Sequence, residues 1–371
     1  MSEKPFPPRR VAAAMVAALL ALLALVACGG DTTGPSRNTT GSSASPAGPT
    51  TRTVVDMAGN SVTIPARPER IVTNYPAVTQ IVFMLGGIRR MAGVPLSNLT
   101  TLPLFKKIYP PLADLPAAFG SDTTSVNAET LLAQKPDLVL LSAGNSSLTK
   151  KIIDLGIPAV QIAGFSNAEQ LKSGVTLIAS VLGDQDAANR AKQYVDYYDD
   201  AVRRAQDGTR DLTDAQRPKV YYTANNPLNT EGKGSIIDSW ARTGGGRNIA
   251  ADNGVQGTFK DVALETIASW NPDVIVCRDP STCNEIRKDD RWSTVAAVRN
   301  NRVLPNPRGV FVWAARSAEA ALQPLWVAKT LHPDRFQDVD ISHEVKTFYS
   351  TFYSYNLTDA EVNEILNPVV S

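Results

Sequence analysis

The chain has 371 residues, enough for two ordinary domains that each bury a core. Its 43% hydrophobic and 20% charged residues exclude a disordered or fibrous chain. A formal net charge of +1, without a long basic run, excludes a nucleic-acid binder by electrostatics.

Lys4, Arg9 and Arg10 precede an apolar run from Val11 to Ala27, which ends in Leu25-Val26-Ala27-Cys28. A basic start, a short apolar centre and small residues before a cut describe a secretory signal peptide over residues 1–27. The closing cysteine resembles that of a bacterial lipoprotein signal, so Cys28 is the expected lipidation site. An uncleaved membrane helix is the alternative, because about 17 apolar residues marginally span a bilayer. Cleavage leaves 34 basic and 35 acidic residues. Residues 28–52 are rich in Gly, Ser, Thr and Pro and read as a flexible tether, reaching about 25 Å on average. The body is therefore expected outside the cytoplasmic membrane, on a lipid. In that oxidising compartment Cys277 and Cys283 are either a local disulfide or two buried thiols.

Thr53–Ile64 reads as a hairpin, Arg70–Thr73 as a strand and Ala77–Leu85 as a helix. Gly93-Val94-Pro95 begins the next sheet edge, and a polar, Pro-rich stretch runs from Ser97 to Asp122. Then comes a segment that is written twice. Ala128–Leu141, AETLLAQKPDLVLL, and Leu264–Cys277, LETIASWNPDVIVC, align Glu129 with Glu265, Pro136 with Pro272 and Asp137 with Asp273. Each copy is a short amphipathic helix, a Pro that stops it, and an apolar run without polar alternation. That run is the signature of a strand buried on both faces of a parallel sheet. The expected fold is α/β, with two lobes of similar build.

After the first copy follow a helix Leu148–Leu155, a strand Ala159–Ile162 and a helix opened by a Ser166/Glu169 capping box. Residues 184–207 contain no Gly or Pro between Asp186 and Ala205, and read as one long helix connecting a lobe at 53–183 to a lobe at 216–336. In the second lobe Lys219–Thr223 is a strand, Ser235–Thr243 a helix, Asn301–Pro305 a strand and Ala315–Leu331 a long helix. Residues 337–371 hold two final helices, the second opened by Thr358 and Glu361.

Catalytic equipment is lacking. Gly232-Lys233-Gly234-Ser235 is not a phosphate loop, Gly144-Asn145-Ser146 is not a nucleophile elbow, and His332 and His343 sit at helix ends. The chain is thus read as a binding protein with no catalytic residue, no metal site of its own and no resident cofactor. In open α/β sheets ligands sit at the carboxyl ends of the strands. Those ends carry Tyr75 and Asn145 in one lobe and Tyr222, Asn225 and Arg278 in the other. The segment Pro307–Arg316, PRGVFVWAAR, adds Arg308, Phe311, Trp313 and Arg316. Arginine supplies donors for an anion and the aromatics supply contact area for a ligand.

With the Leu25–Cys28 box, the two copies of E-x₆-PD and the connecting helix in place, the chain resembles the periplasmic substrate-binding lipoproteins of bacterial ABC importers, in the class III cluster for ferric siderophores, cobalamin and haem. The resemblance runs from about Thr53 to Leu366 and includes Pro68-Glu69-Arg70-Ile71-Val72. It implies two Rossmann-like lobes bridged by one long helix, with the ligand in the cleft between them. It also implies a monomer that captures a small-molecule metal complex, an iron chelate before an oxyanion such as molybdate, cobalamin or haem. Its implied partner is a permease dimer with its ATPase, contacted through Glu129 and Glu265. A secreted enzyme or metallochaperone on the same scaffold is the competing reading.

Overall fold

The computed structural model describes residues 50–97, 102–120, 122–162, 164–314 and 316–369. The expected signal peptide, Cys28 and nearly all of the tether lie outside them. The tether ends earlier than 52, because Thr51 and Arg52 already belong to a strand. That strand, β1 (Thr51–Val55), pairs antiparallel with β2 (Ser61–Pro65).

The first lobe is a parallel sheet of β3 (Ile71–Thr73), β4 (Met91–Gly93), β5 (Leu138–Ser142) and β6 (Ala159–Ile162), in the order β4-β3-β5-β6. The second contains β7 (Lys219–Thr223), a small β8–β10 ribbon (Asn229–Thr230 with Lys260–Asp261), β9 (Arg247–Asn248), β11 (Val274–Cys277) and β12 (Val303–Pro305). Its sheet order is β9-β7-β11-β12, again parallel. Both sheets therefore place their first strand second and their third strand third, so the duplication read in the sequence extends to topology.

The repeated segment explains how. Helices Ala128–Ala133 and Leu264–Trp270 each end at a residue with left-handed backbone, Lys135 and Asn271, both at φ 47°. Proline follows in each case and prevents further helix. The next residue latches the neighbouring strand. Asp137 accepts the backbone N–H of Glu69 at 2.7 Å and of Arg70 at 3.0 Å, just ahead of β3. Asp273 accepts the N–H of Lys219, at the start of β7, at 2.8 Å. These carboxylates fix β3 to β5 and β7 to β11 in matching register.

The connecting helix is Gln185–Asp207, 23 residues and so about 35 Å long. Its buried residues are Ala187, Ala191, Tyr194, Tyr198, Ala201 and Ala205, a stripe with alternating steps of four and three. One end of that stripe packs on helix Ala168–Leu182 of the first lobe and the other on helix Gln323–Leu331 of the second.

Three expectations need correction. The stretch 97–122 is not merely a polar loop: Pro103 opens a helix to Ile108 and Pro110 a 3₁₀ turn to Asp114. These bury Phe105 and Leu112, with Phe105 5.1 Å from the ring of Phe83. The helix after Phe165 is capped by Asn167, which accepts from the N–H of Gln170 at 2.9 Å; Ser166 lies one residue outside. The helix expected from Ala315 begins only at Gln323, after a 3₁₀ turn Ala318–Ala321, because Pro324 can stand in a first turn and not inside. The final helices, Ile341–Tyr353 and Asp359–Leu366, fold back over the first lobe, where Tyr353 stacks on Phe83 at 5.2 Å.

Candidate ligand-binding site

Residues from both lobes meet where the strands end. Tyr75 follows β3 at the mouth of helix Pro76–Met84 and meets Phe311 of the other lobe edge-on, with ring centroids 6.4 Å apart. Tyr222, in β7, packs edge-on against Trp240 at 6.1 Å. Arg278 comes directly after β11; it donates to Asn225 Oδ1 at 3.2 Å, while its buried Nε has no hydrogen-bond partner among the described residues. Arg316 donates to both carboxylate oxygens of Glu231, at 2.9 and 3.4 Å. The side chains of this pair are only 12% and 2% exposed, so it is a desolvated ion pair. The guanidinium also lies 5.7 Å from the ring centroid of Phe259.

These groups share one electrostatic environment. Burial pushes the Tyr75 phenol above its ordinary range, against Arg316 and Arg278, which both pull it down. Tyr222 is raised by burial too, again with Arg278 opposing. Burial raises the Glu231 carboxyl, partly countered by Arg316. For Arg316 burial acts downward, but Glu231 outweighs it and holds the guanidinium above its usual value. Both phenols are therefore neutral O–H groups at physiological pH. With Arg278, Arg316 and Glu231 counted together, the cluster carries one net positive charge.

The site differs in membership from the set read off the sequence. Tyr75, Tyr222, Asn225, Arg278, Phe311 and Arg316 come together. Arg308 is turned to Asp279, and lines a separate crevice of about 540 Å³ with Lys107, Pro280 and Glu361. Trp313 is fully buried core. Asn145 caps helix Ser146–Asp154, accepting from the N–H of Leu148 at 2.9 Å. Glu231 was missed: nothing in the Gly/Asn-rich loop Asn225–Gly234 marks one glutamate as buried. Cys277 and Cys283 form a disulfide between the end of β11 and helix Pro280–Lys288, with Cα atoms 5.6 Å apart. It closes the loop that carries Arg278. Glu129 and Glu265 are exposed in the first turns of their equivalent helices. Among the described residues, no group of three or more His, Cys, Asp or Glu is arranged to hold a metal ion.

Comparison with known proteins agrees with this architecture. The family model for periplasmic binding proteins matches residues 71–307. The molybdate-binding protein MolA of Haemophilus influenzae is 31% identical over 333 residues, covering 81% of this chain and 91% of that protein. The solved structure of MolA bound to molybdate superposes with a TM-score of 0.75 at 28% identity, over 83% of this chain and 99% of that one. An uncharacterized ABC transporter substrate-binding lipoprotein of Bacillus subtilis, YvrC, is 25% identical over 293 residues, 77% of this chain and 87% of that protein. With two α/β lobes of the same topology joined by a bridging helix, the chain belongs to the periplasmic binding protein family.

Proposed function

We propose that this protein is the substrate-binding component of an ABC importer and that its cargo is a small oxyanion of the molybdate class. The observation that carries the reading is the buried cationic cluster. Arg316 is already matched by Glu231, whereas Arg278 has no carboxylate partner among the described residues and keeps a buried, unused N–H. A ligand with acceptor oxygens satisfies that donor and the two phenols at once. The relative that binds molybdate spans most of both chains, which supports the same class. An iron chelate, the first expectation, finds less support, since Tyr75 and Phe311 already meet across the cleft.

Calorimetric titration of the mature protein with molybdate, tungstate, sulfate, a ferric catecholate and cobalamin tests this. Saturable one-to-one binding of molybdate or tungstate, without turnover, is expected. Binding of the chelate or cobalamin with no oxyanion response overturns it.

The reading includes anchoring through Cys28, supported by the Leu25–Cys28 box and by the lipoprotein among the relatives. In cells fed a labelled fatty acid, Cys28→Ala should lose all acyl label. A mutant that keeps the label refutes the anchor.

A further inference from the structure

Behind the cleft wall stands a carboxylate that the binding site does not use. Glu319 is completely buried. Its Oε2 accepts the backbone N–H of Phe311 at 2.8 Å, and its Oε1 accepts that of Val310 at 3.1 Å. The Tyr349 hydroxyl, from helix Ile341–Tyr353, donates to the same Oε1 and lies 3.0 Å from the Val310 nitrogen. Gln80, from helix Pro76–Met84, stands near the same carboxylate and favours its ionised form. Gln80 further accepts the N–H of Ala318 at 3.0 Å and donates to Tyr353 at 2.7 Å. Helix Pro76–Met84 starts directly after Tyr75, so this one carboxylate joins the first lobe, the cleft segment and the C-terminal helix. Gly309 is required by the same contact. A Cβ there would fall 1.9 Å from the Tyr349 hydroxyl oxygen and 2.4 Å from Glu319 Oε1.

We propose that Glu319 is a positioning residue of the binding segment: its carboxylate fixes the Gly309–Phe311 wall against Tyr75, and adding a proton to it loosens that wall. Nearly every partner of Glu319 is a donor. A carboxylic acid therefore displaces one amide, or forces the Tyr349 hydroxyl to turn and accept. The titratable groups facing it are Tyr194 from the connecting helix and Tyr349 and Tyr353 from the C-terminal helix. Burial holds all three phenols well above their ordinary range, so they stay neutral. Arg308, beside Gly309 in the chain, is engaged by Asp279. Burial pushes the Glu319 carboxyl up to about 7, with the Tyr349 hydroxyl and the Phe311 and Val310 amides pulling the other way. The proton is thus exchanged near neutrality.

The two consequences have opposite signs. The folded chain holds this proton where an unfolded chain releases it. The resulting stability is present below the ordinary glutamate range and lost as pH rises through about 7. Ligand affinity rises over the same interval, because the wall is fixed only by the ionised form. A purely structural role moves stability and leaves affinity alone.

Two measurements test the proposal, and the first needs no ligand. Amide NMR shifts of Val310 and Phe311 in the ligand-free protein should titrate with a midpoint near 7. The titration should vanish in Glu319→Gln, and its midpoint should move upward in Tyr349→Phe, which deletes a donor to the ionised form. Amides that do not titrate between about pH 5.5 and 8.5 in the wild type overturn the proposal, whatever the ligand proves to be. The second measurement rests on the oxyanion reading. Molybdate, a dianion throughout this range, should bind roughly three- to tenfold more weakly at about pH 6 than at about pH 8, the scale of one lost hydrogen bond. Glu319→Gln should flatten that slope; an equal slope in both proteins overturns the coupling. Titrating amides without any molybdate binding leave the latch in place and refute the cargo instead.

Discussion

Arg316→Ala is expected to cost more than Arg278→Ala, although both remove one guanidinium from the same cleft. Arg278 has no carboxylate to leave behind. Its loss should weaken oxyanion binding by about 1.5–3 kcal/mol, roughly ten- to a hundredfold, with little effect on folding. Removing Arg316 strands Glu231, whose side chain is only 2% exposed. Breaking a buried pair from one side costs on the order of 3–5 kcal/mol, because the remaining charge must find a proton or water. Burial already raises the Glu231 carboxyl and Arg316 is the main force holding it down, so in the mutant it rises further. The stability lost in Arg316→Ala should therefore be partly recovered at acidic pH, as the orphaned carboxyl takes up a proton. The double mutant Arg316→Ala, Glu231→Ala should regain most of the stability without regaining affinity. Urea denaturation at two pH values, alongside titration with molybdate, separates the terms. If Arg316→Ala unfolds at the same urea concentration as the wild type, the ion pair is not a structural element of the cleft. If neither changes affinity, the ligand lies elsewhere.

The regular parts of this molecule were legible because they repeat a periodicity. β6 and β7 have the bounds expected of them, since each is an apolar run closed by Pro, Gly or a polar turn. The paired PD motif announced the duplication, although not its reason: that each Asp latches the neighbouring strand became visible only in three dimensions. Proline was misjudged in two directions, as loop at Pro103 and Pro110 and as helix interior at Pro324. At all three positions it begins a helical turn. For the candidate site, the placement of residues at strand ends was predictable because the end of a strand is a fixed place in an α/β sheet. Their partners were not. Glu231 and Glu319 look like any other glutamates in the chain, and only burial against Arg316 and against two backbone amides distinguishes them. Arg308 and Arg316 are equally basic in sequence, yet Asp279 takes one away from the cluster and Glu231 holds the other within it.

Charge reversal at both Glu129 and Glu265 is expected to abolish uptake while leaving the purified protein able to bind its ligand. Each glutamate is the second residue of its helix, and the helices occupy the same place in two lobes of the same topology. Each also stands beside a hollow with an apolar rim. The one near Glu129 is lined by Leu96, Phe119 and Val126, and the one near Glu265 by Leu228, Leu264 and Trp292 together with the charged Glu285, Lys288, Asp289 and Arg291. Leu96 and Leu228 are 42% and 38% exposed, high for leucine on a finished surface and suited to a partner. A permease dimer presents its residues twice, so two matched contacts set orientation as well as attraction. An exposed charge pair contributes only about 0–1 kcal/mol, and either single mutant should therefore transport nearly normally. The double mutant Glu129→Arg, Glu265→Arg places like charges together at both contacts and should stop uptake. Both side chains are exposed, and among the described residues neither pairs with Arg278 or Arg316, so calorimetry on the mutant should return the wild-type affinity. Leu96→Asp with Leu228→Asp gives a second approach to the same face through its apolar part. Unchanged uptake in the double reversal would place the permease contact on another surface and reduce the two glutamates to helix-start residues favoured by the dipole.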